Sequence, residues 1–191
     1  MERMRIVFGH ISENNITKPC VGIREVASRS GFSQSRQFSN GDDDIVVVSA
    51  LRTPIGKAKR GSFKDTFPDD LLSTVFKAVI KQTGISPTQI GDICVGCVSD
   101  PYPSLTARIA QFYSDIPETV PLSTVNRQCA SGLQAFMSIA GSIRSGICDI
   151  GLAGGMESMT KNQGASARDA TRFNPRLFEF DNARDCLVPM G

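Results

Sequence analysis

Strand-like and helix-like segments alternate between residues 45 and 155, and this alternation limits the folds open to the chain. Ile45–Val48 is a continuous β-branched run, which is typical of a strand buried on both faces. Apolar residues at helical spacing predict a helix from Asp69 to a stop at Gly84, and further strands are predicted at 92–98, 122–126 and 148–155. Strands that alternate with helices favour a mostly parallel sheet, so we predict an α/β domain.

One predicted helix differs from the others in its composition. It begins at Ala130 and carries almost no charge before Arg144. A helix with little charge on any side is one that is buried on most sides. We therefore predict that this helix lies between two layers of the fold.

Cys129 stands at the junction between the strand at 122–126 and this helix. The first amides of a helix have no partners within the helix, and the helix dipole leaves partial positive charge there. Such an end stabilises a thiolate, although free cysteines are also among the most buried residue types. Position alone leaves two interpretations of Cys129, a nucleophile and a buried structural thiol.

Motifs on both sides of the junction add to this evidence. Asn126–Ala135 has the sequence Asn-Arg-Gln-Cys-Ala-Ser-Gly-Leu-Gln-Ala, and Gly154–Met159 has the sequence Gly-Gly-Met-Glu-Ser-Met. Together they resemble the active-site region of the thiolases that cleave 3-ketoacyl-CoA. Upstream segments resemble the peroxisomal branch of that family, namely residues 60–65, 92–96, 107–112 and 115–119. The resemblance runs from about residue 44 to Gly191 and covers only the first half of such an enzyme.

The resemblance implies a thiolase-like fold, here the N-terminal half with an incomplete sheet, and an acyltransferase of fatty-acid β-oxidation. In the family, the cysteine that matches Cys129 attacks the 3-keto carbon, and acetyl-CoA leaves. The acyl group stays on the cysteine as a thioester until free coenzyme A removes it. The amide of Cys129 is implied in an oxyanion hole. Coenzyme A is then a co-substrate, with no bound cofactor and no metal, and the full-length enzyme is a homodimer.

The other catalytic groups of the family have no match in this sequence. They are a histidine in Gly-His-Pro, a cysteine in Cys-x-Gly and an asparagine in Asn-Glu-Ala, whereas the single histidine here is His10. We therefore expect little or no turnover from this chain alone. Two hypotheses follow: the sequence is part of a thiolase, or it is a non-catalytic short form that pairs with a full-length subunit.

Four other features bear on possible binding or catalytic sites. A net charge of +2 gives no case for nucleic acid, and no apolar run approaches the roughly 20 residues of a membrane span. Cys94 and Cys97 form a Cys-x-x-Cys pair without the second pair that zinc needs, so a structural role is predicted. Glu157 is predicted to make a buried structural hydrogen bond rather than to act as a general base.

Residues 1–43 are predicted to be a targeting leader. Arg3 and Met4 are separated by five residues from His10 and Ile11, which resembles an amino-terminal peroxisomal targeting signal read by an import receptor. A mitochondrial presequence is the alternative, because residues 24–40 contain both Ser and Arg. The resemblance further divides the chain into an N-terminal thiolase domain at 44–160 and the truncated start of a coenzyme A-binding loop domain at 161–191, in which Met190 is a candidate contact of the acyl pocket.

Overall fold

The computed structural model describes residues 45–161 and 173–186. Its sheet has three parallel strands, β1 (Asp92–Gly96), β2 (Leu122–Val125) and β3 (Gly151–Gly155), in the order β2-β1-β3. The longer helices are α1 (Pro68–Thr83), α2 (Pro103–Tyr113) and α3 (Ser131–Arg144). A short helix α4 (Asp181–Asp185) and two 3-10 turns at Pro87–Gln89 and Pro175–Glu179 complete the described elements. The predicted α/β class and parallel sheet are confirmed.

The sheet separates two apolar clusters. Ile93 and Val95 of β1 pack with Phe76 of α1 on one face, together with buried residues of α2. Cys94, between them in sequence, packs with Ile139 of α3 on the other face. Because successive side chains of a strand point to opposite faces, one short strand serves both clusters. The described domain therefore has three layers, with α1 and α2 on one side and α3 on the other.

Helix α1 ends where the sequence predicts. Its aspartates at positions 69 and 70 lie in the first turn, where negative charge is stabilised by the helix dipole. Gly84 adopts a left-handed conformation with φ of 69° and donates its amide to the Ile80 carbonyl at 2.9 Å. Glycine reaches this conformation without the steric cost of a side chain, so it ends the helix.

A buried amide connects α2 to the strand that leads to Cys129. Gln111 of α2 is fully buried, and its Nε2 donates to the carbonyls of Pro117 and Val120 at 2.8 and 3.1 Å. Arg108 donates to the Gln111 side-chain oxygen at 2.8 Å and to the Val120 carbonyl at 2.9 Å. These bonds satisfy backbone groups of the segment before β2, which would otherwise be buried without partners.

The predicted strand at Ile45–Val48 is wrong for the described part of the chain. The segment belongs to no strand there, and its three valines are between 43% and 50% exposed. A strand needs a neighbour to accept and donate its backbone hydrogen bonds, and β-branched composition supplies none. The last strand is also shorter than predicted, since β3 begins at Gly151 instead of Cys148.

Among the described residues, helix α3 is covered on one side, so its position between two layers stays a prediction. Ser131, Ala135, Ile139 and Ile143 recur at four-residue spacing and are buried. Leu133 and Met137 on the other side are 63% and 52% exposed. The helix is therefore almost uncharged, as the sequence indicates, and the described residues bury one of its sides.

No helix in residues 45–161 or 173–186 has the length and apolar character that crossing a membrane requires.

Glycines set the distance between α3 and the sheet. A methyl group on Gly96, the last residue of β1, would clash with the Ser131 backbone and lie 2.6 Å from the Gly132 nitrogen. A methyl group on Gly151 of β3 would overlap Cγ2 of Ile139. The amino end of α3 therefore lies against the backbone of the sheet with no side chain between them.

We expect Gly96→Ala to lower the free energy of unfolding by about 2 kcal/mol, because the added methyl group forces α3 away from β1. Gly141→Ala is the matched control, since a methyl group there meets nothing within 4 Å and alanine favours a helix by up to about 1 kcal/mol. Urea unfolding followed by circular dichroism measures both. Equal stability of the two variants would contradict the close contact at Gly96.

Candidate active site

The carboxyl ends of the three parallel strands meet at one edge of the sheet, and Cys129 lies in the turn that follows one of them. The register pairs Gly96 of β1 with Val125 of β2 and with Gly155 of β3. The Cys97 amide donates to the Val125 carbonyl at 3.1 Å, and the Met156 amide donates to the Gly96 carbonyl at 3.0 Å. Ligands of open α/β sheets bind at this edge, outside the carboxyl ends of the strands.

The turn from Arg127 to Ala130 is closed by its own backbone. The Ala130 amide donates to the Arg127 carbonyl at 3.1 Å, and the Ser131 amide donates to the Gln128 carbonyl at 3.0 Å. The Ser131 hydroxyl accepts the Arg127 amide at 2.9 Å and donates to the Gln128 carbonyl at 2.6 Å. One buried hydroxyl thus holds both sides of the turn.

Gln128, immediately before Cys129, adopts a left-handed backbone conformation with φ of 49°. Residues other than glycine adopt this conformation rarely and at a cost in free energy. The cost is met by the surrounding bonds, including one from the Gln128 amide to the Asn126 side-chain oxygen at 3.0 Å. This residue lies in the turn between β2 and α3, next to Cys129.

Cys129 is exposed, as a reacting thiol must be, whereas three other cysteines are buried. Burial raises the pKa of the Cys94, Cys97 and Cys148 thiols, because a thiolate loses hydration in the protein interior. Cys186 is exposed as well, but it lies at the end of α4. Among residues 45–161 and 173–186, Cys129 is thus the exposed thiol at the shared edge of the strands.

The Cys-x-x-Cys pair has the structural role that the sequence predicts. Cys94 belongs to the cluster under α3, and Cys97 belongs to the cluster on the opposite face of the sheet. Both thiols are free and buried, and the sheet lies between them. In the part of the chain that is described, no group of three or more His, Cys, Asp or Glu side chains is placed to hold a metal ion.

Glu157 follows β3 at the same edge and makes structural hydrogen bonds, as predicted, but it is exposed rather than buried. Its two carboxylate oxygens accept the amides of Val98 and Ser99 at 3.0 and 3.2 Å. The Ser99 hydroxyl donates to the same group. The prediction of burial is wrong because the glutamate lies on the rim of the sheet, where its partners are loop amides.

The remaining predicted site residues lie outside the described residues. They are Met190 at the carboxyl end and the targeting residues Arg3, Met4, His10 and Ile11. The leader at 1–43 and about half of the proposed loop domain, residues 162–172 and 187–191, also fall there.

Sequence reasoning missed four residues that form the turn and its contact with the sheet. The signal for Gly96 was a glycine inside a predicted strand, which marks a close approach of backbone. The roles of Asn126, Gln128 and Ser131 depend on bonds between residues that a linear pattern does not connect. The motif that contains them drew attention to Cys129 alone.

This geometry defines the class of the protein: an α/β domain with an exposed cysteine between a parallel strand and the helix that follows it. The family model described as "Thiolase, N-terminal domain" matches residues 45–191. The peroxisomal 3-ketoacyl-CoA thiolase B of Mus musculus is 49% identical over 192 residues, and the peroxisomal 3-ketoacyl-CoA thiolase of Homo sapiens is 49% identical over 197 residues. Each alignment covers the whole chain and 43% of the relative.

Solved structures agree with this match. The dimeric peroxisomal thiolase of Saccharomyces cerevisiae aligns with a TM-score of 0.74 and 34% identity, over 81% of this chain and 41% of that one. A second structure of the yeast enzyme aligns with a TM-score of 0.66 and 35% identity, over 78% of this chain and 41% of that one. The chain therefore belongs to the thiolase family. It spans less than half the length of the relatives that it matches.

We expect iodoacetamide at neutral pH to label Cys129 at least about ten times faster than Cys94, Cys97 or Cys148, because the buried thiols are inaccessible and carry raised pKa values. Peptide mapping by mass spectrometry measures each rate. Labelling of the buried thiols should still be increasing at a pH where free glutathione has reached its maximum rate. Equal rates for Cys129 and Cys94 in folded protein would contradict the exposure of the turn.

Proposed function

We propose that this chain supplies the nucleophilic half of a 3-ketoacyl-CoA thiolase, which transfers an acyl group to coenzyme A in fatty-acid β-oxidation. The observation that carries the proposal is the exposed Cys129 thiol in the turn between β2 and α3. The family match and the names of the mouse and human relatives supply the reaction.

In the proposed reaction, the Cys129 thiolate attacks the 3-keto carbon of the substrate. The bond between C2 and C3 breaks, and its electron pair stays on C2, which takes a proton as acetyl-CoA leaves. The thiolate of coenzyme A then attacks the acyl thioester and releases Cys129. Covalent catalysis of this kind divides one difficult carbon–carbon cleavage into two easier steps.

The turn supports this role in two ways. The amino end of α3 follows Cys129 directly, and the partial positive charge of a helix end favours an anion there. By the family resemblance, the Cys129 amide at this turn is the proposed donor to the developing oxyanion. Loss of one oxyanion donor costs about 3 kcal/mol of transition-state stabilisation in other enzymes.

Proton transfer is assigned to residues outside this sequence. Glu157 is occupied by three donors, and the sequence contains no histidine besides His10 in the leader. We propose that the histidine, asparagine and second cysteine of the family are supplied by the rest of a full-length enzyme. Coenzyme A is a co-substrate rather than a bound cofactor, and Met190 is a proposed contact of the acyl pocket.

A homodimer is proposed from the yeast relative, whose structure is titled as a dimeric thiolase. In this chain β2 is an outer strand of the described sheet, and the turn that carries Cys129 follows it. A contact between β2 and a second subunit would lie close to the proposed nucleophile. The alternative, a non-catalytic short form, would use such contact to pair with a full-length subunit.

We expect the protein isolated from its native cells to cleave acetoacetyl-CoA only when coenzyme A is present, and to carry an acetyl thioester on Cys129 after incubation with acetyl-CoA. Cys129→Ser should lower kcat by at least about a thousand-fold, because the covalent step is lost. Cys186→Ser is the control, since this thiol is also exposed but lies on α4, and it should retain activity.

An intact mass measured on the same sample separates the two hypotheses. A mass about twice that of this chain, with activity, supports the enzyme. A mass equal to this chain, without activity and together with a longer thiolase subunit, supports the non-catalytic short form.

We propose that the protein is peroxisomal, because the mouse, human and rat relatives carry that word in their names. A fluorescent protein fused to residues 1–43 should enter peroxisomes, and His10→Ala should leave it in the cytosol. Ser12→Ala is the matched control in the leader and should not change the destination. Entry into mitochondria would favour the alternative presequence.

A further inference from the structure

The loop after β1 is attached to the end of β3 by one carboxylate. Glu157 Oε2 accepts the Val98 amide at 3.0 Å, and Oε1 accepts the Ser99 amide at 3.2 Å. The Ser99 hydroxyl is the third donor. Among the salt bridges of the described residues, none includes Glu157. Its negative charge is therefore directed at peptide amides, and hydrogen bonds to an ionised acceptor are stronger than neutral ones.

The same loop is attached to the end of β2. Asn126 Nδ2 donates to the Val98 carbonyl at 3.5 Å. Val98 is thus bonded through its amide to Glu157 and through its carbonyl to Asn126. One peptide segment therefore links residues that follow all three strands.

Asn126 extends this link to the turn. Its Oδ1 accepts the amide of Gln128 at 3.0 Å, while its Nδ2 is held by Val98. The Gln128 amide belongs to the residue with φ of 49°, whose conformation persists because neighbouring groups hold it. A continuous series of hydrogen bonds thus runs from Glu157 through Val98 and Asn126 to the residue before Cys129.

We propose that Glu157 is a positioning residue that sets the geometry of the Cys129 turn through Val98 and Asn126. The inference rests on the proposed function, in which Cys129 is the nucleophile. All three groups that face the carboxylate are donors, so a group with two acceptor oxygens fits the position. Glutamine would place a donor against one of the two loop amides and so loosen the loop that contains Val98.

The test uses Glu157→Gln with Ser99→Ala as the milder variant, because Ser99→Ala removes only the hydroxyl donor and keeps both amide bonds. Solvent exchange of the Gln128 amide, measured by NMR, should become at least about five times faster in Glu157→Gln. The Gln134 amide, which bonds to the Ala130 carbonyl at 2.9 Å within α3, is the internal control and should not change.

Alkylation of Cys129 by iodoacetamide provides a second measurement on the same samples. In Glu157→Gln its rate should change by at least about threefold, while the rates of Cys186 and the buried Cys94 stay constant. A purely structural loss of stability would instead raise the labelling of Cys94 and the exchange of Gln134 together. Unchanged Gln128 exchange and unchanged Cys129 alkylation in folded Glu157→Gln would overturn the proposal.

Two further outcomes are a variant that does not fold and a wild-type protein that takes no acetyl group. If Glu157→Gln does not fold, Glu157→Asp carries the test, because its carboxylate is one methylene group shorter and cannot reach both loop amides, and an unchanged rate of Gln128 exchange would overturn the proposal. If wild-type Cys129 takes no acetyl group from acetyl-CoA in the native protein, the proposed function fails, whereas the exchange measurement still reports whether Glu157 holds the turn. The two failures are thereby distinguishable.

Discussion

The contact between the amino end of α3 and the end of β1 is the constraint on which the candidate site depends. Gly96 has no side chain, so the Ser131 and Gly132 backbone lies directly against it. This contact places the turn with Cys129 over the edge where β1, β2 and β3 end. The contact between Ile139 and Gly151 holds the same helix farther along its length. With two such contacts the helix can neither shift along the sheet nor lift from it without losing core packing.

Polar side chains form hydrogen bonds with backbone groups of the loops that follow the strands at this edge. Ser131 holds the turn, Asn126 joins it to the loop after β1, and Glu157 joins that loop to β3. Asn126 and Glu157 lie one and two residues after their strands, and Ser131 is the first residue of α3. The ends of these elements therefore determine where the three side chains lie. The Cys129 thiol is therefore exposed, while the backbone around it is held by several hydrogen bonds. A nucleophile needs such a fixed backbone, because it must meet each substrate in the same orientation.

The sequence predicted those parts of the fold that depend on local signals. The apolar face of α1, its end at Gly84 and the helix after Ala130 all follow from spacing and residue type within one segment. The strand at Ile45–Val48 was wrong because a strand also needs a partner, and β-branched composition does not reveal one. Cys129 was predicted to be a nucleophile from its place at a strand–helix junction and from the motif around it, and that role stays a prediction. The bond between Asn126 and Val98 was not predicted, because it joins residues 28 positions apart.

The left-handed conformation of Gln128 also has a consequence for which residues this position can accept. Glycine and asparagine adopt such a backbone at low cost, whereas valine, isoleucine and threonine, with two groups on the β-carbon, are strongly disfavoured. The backbone shape at this position therefore limits which side chains fit it, independently of any chemistry that the side chain itself performs.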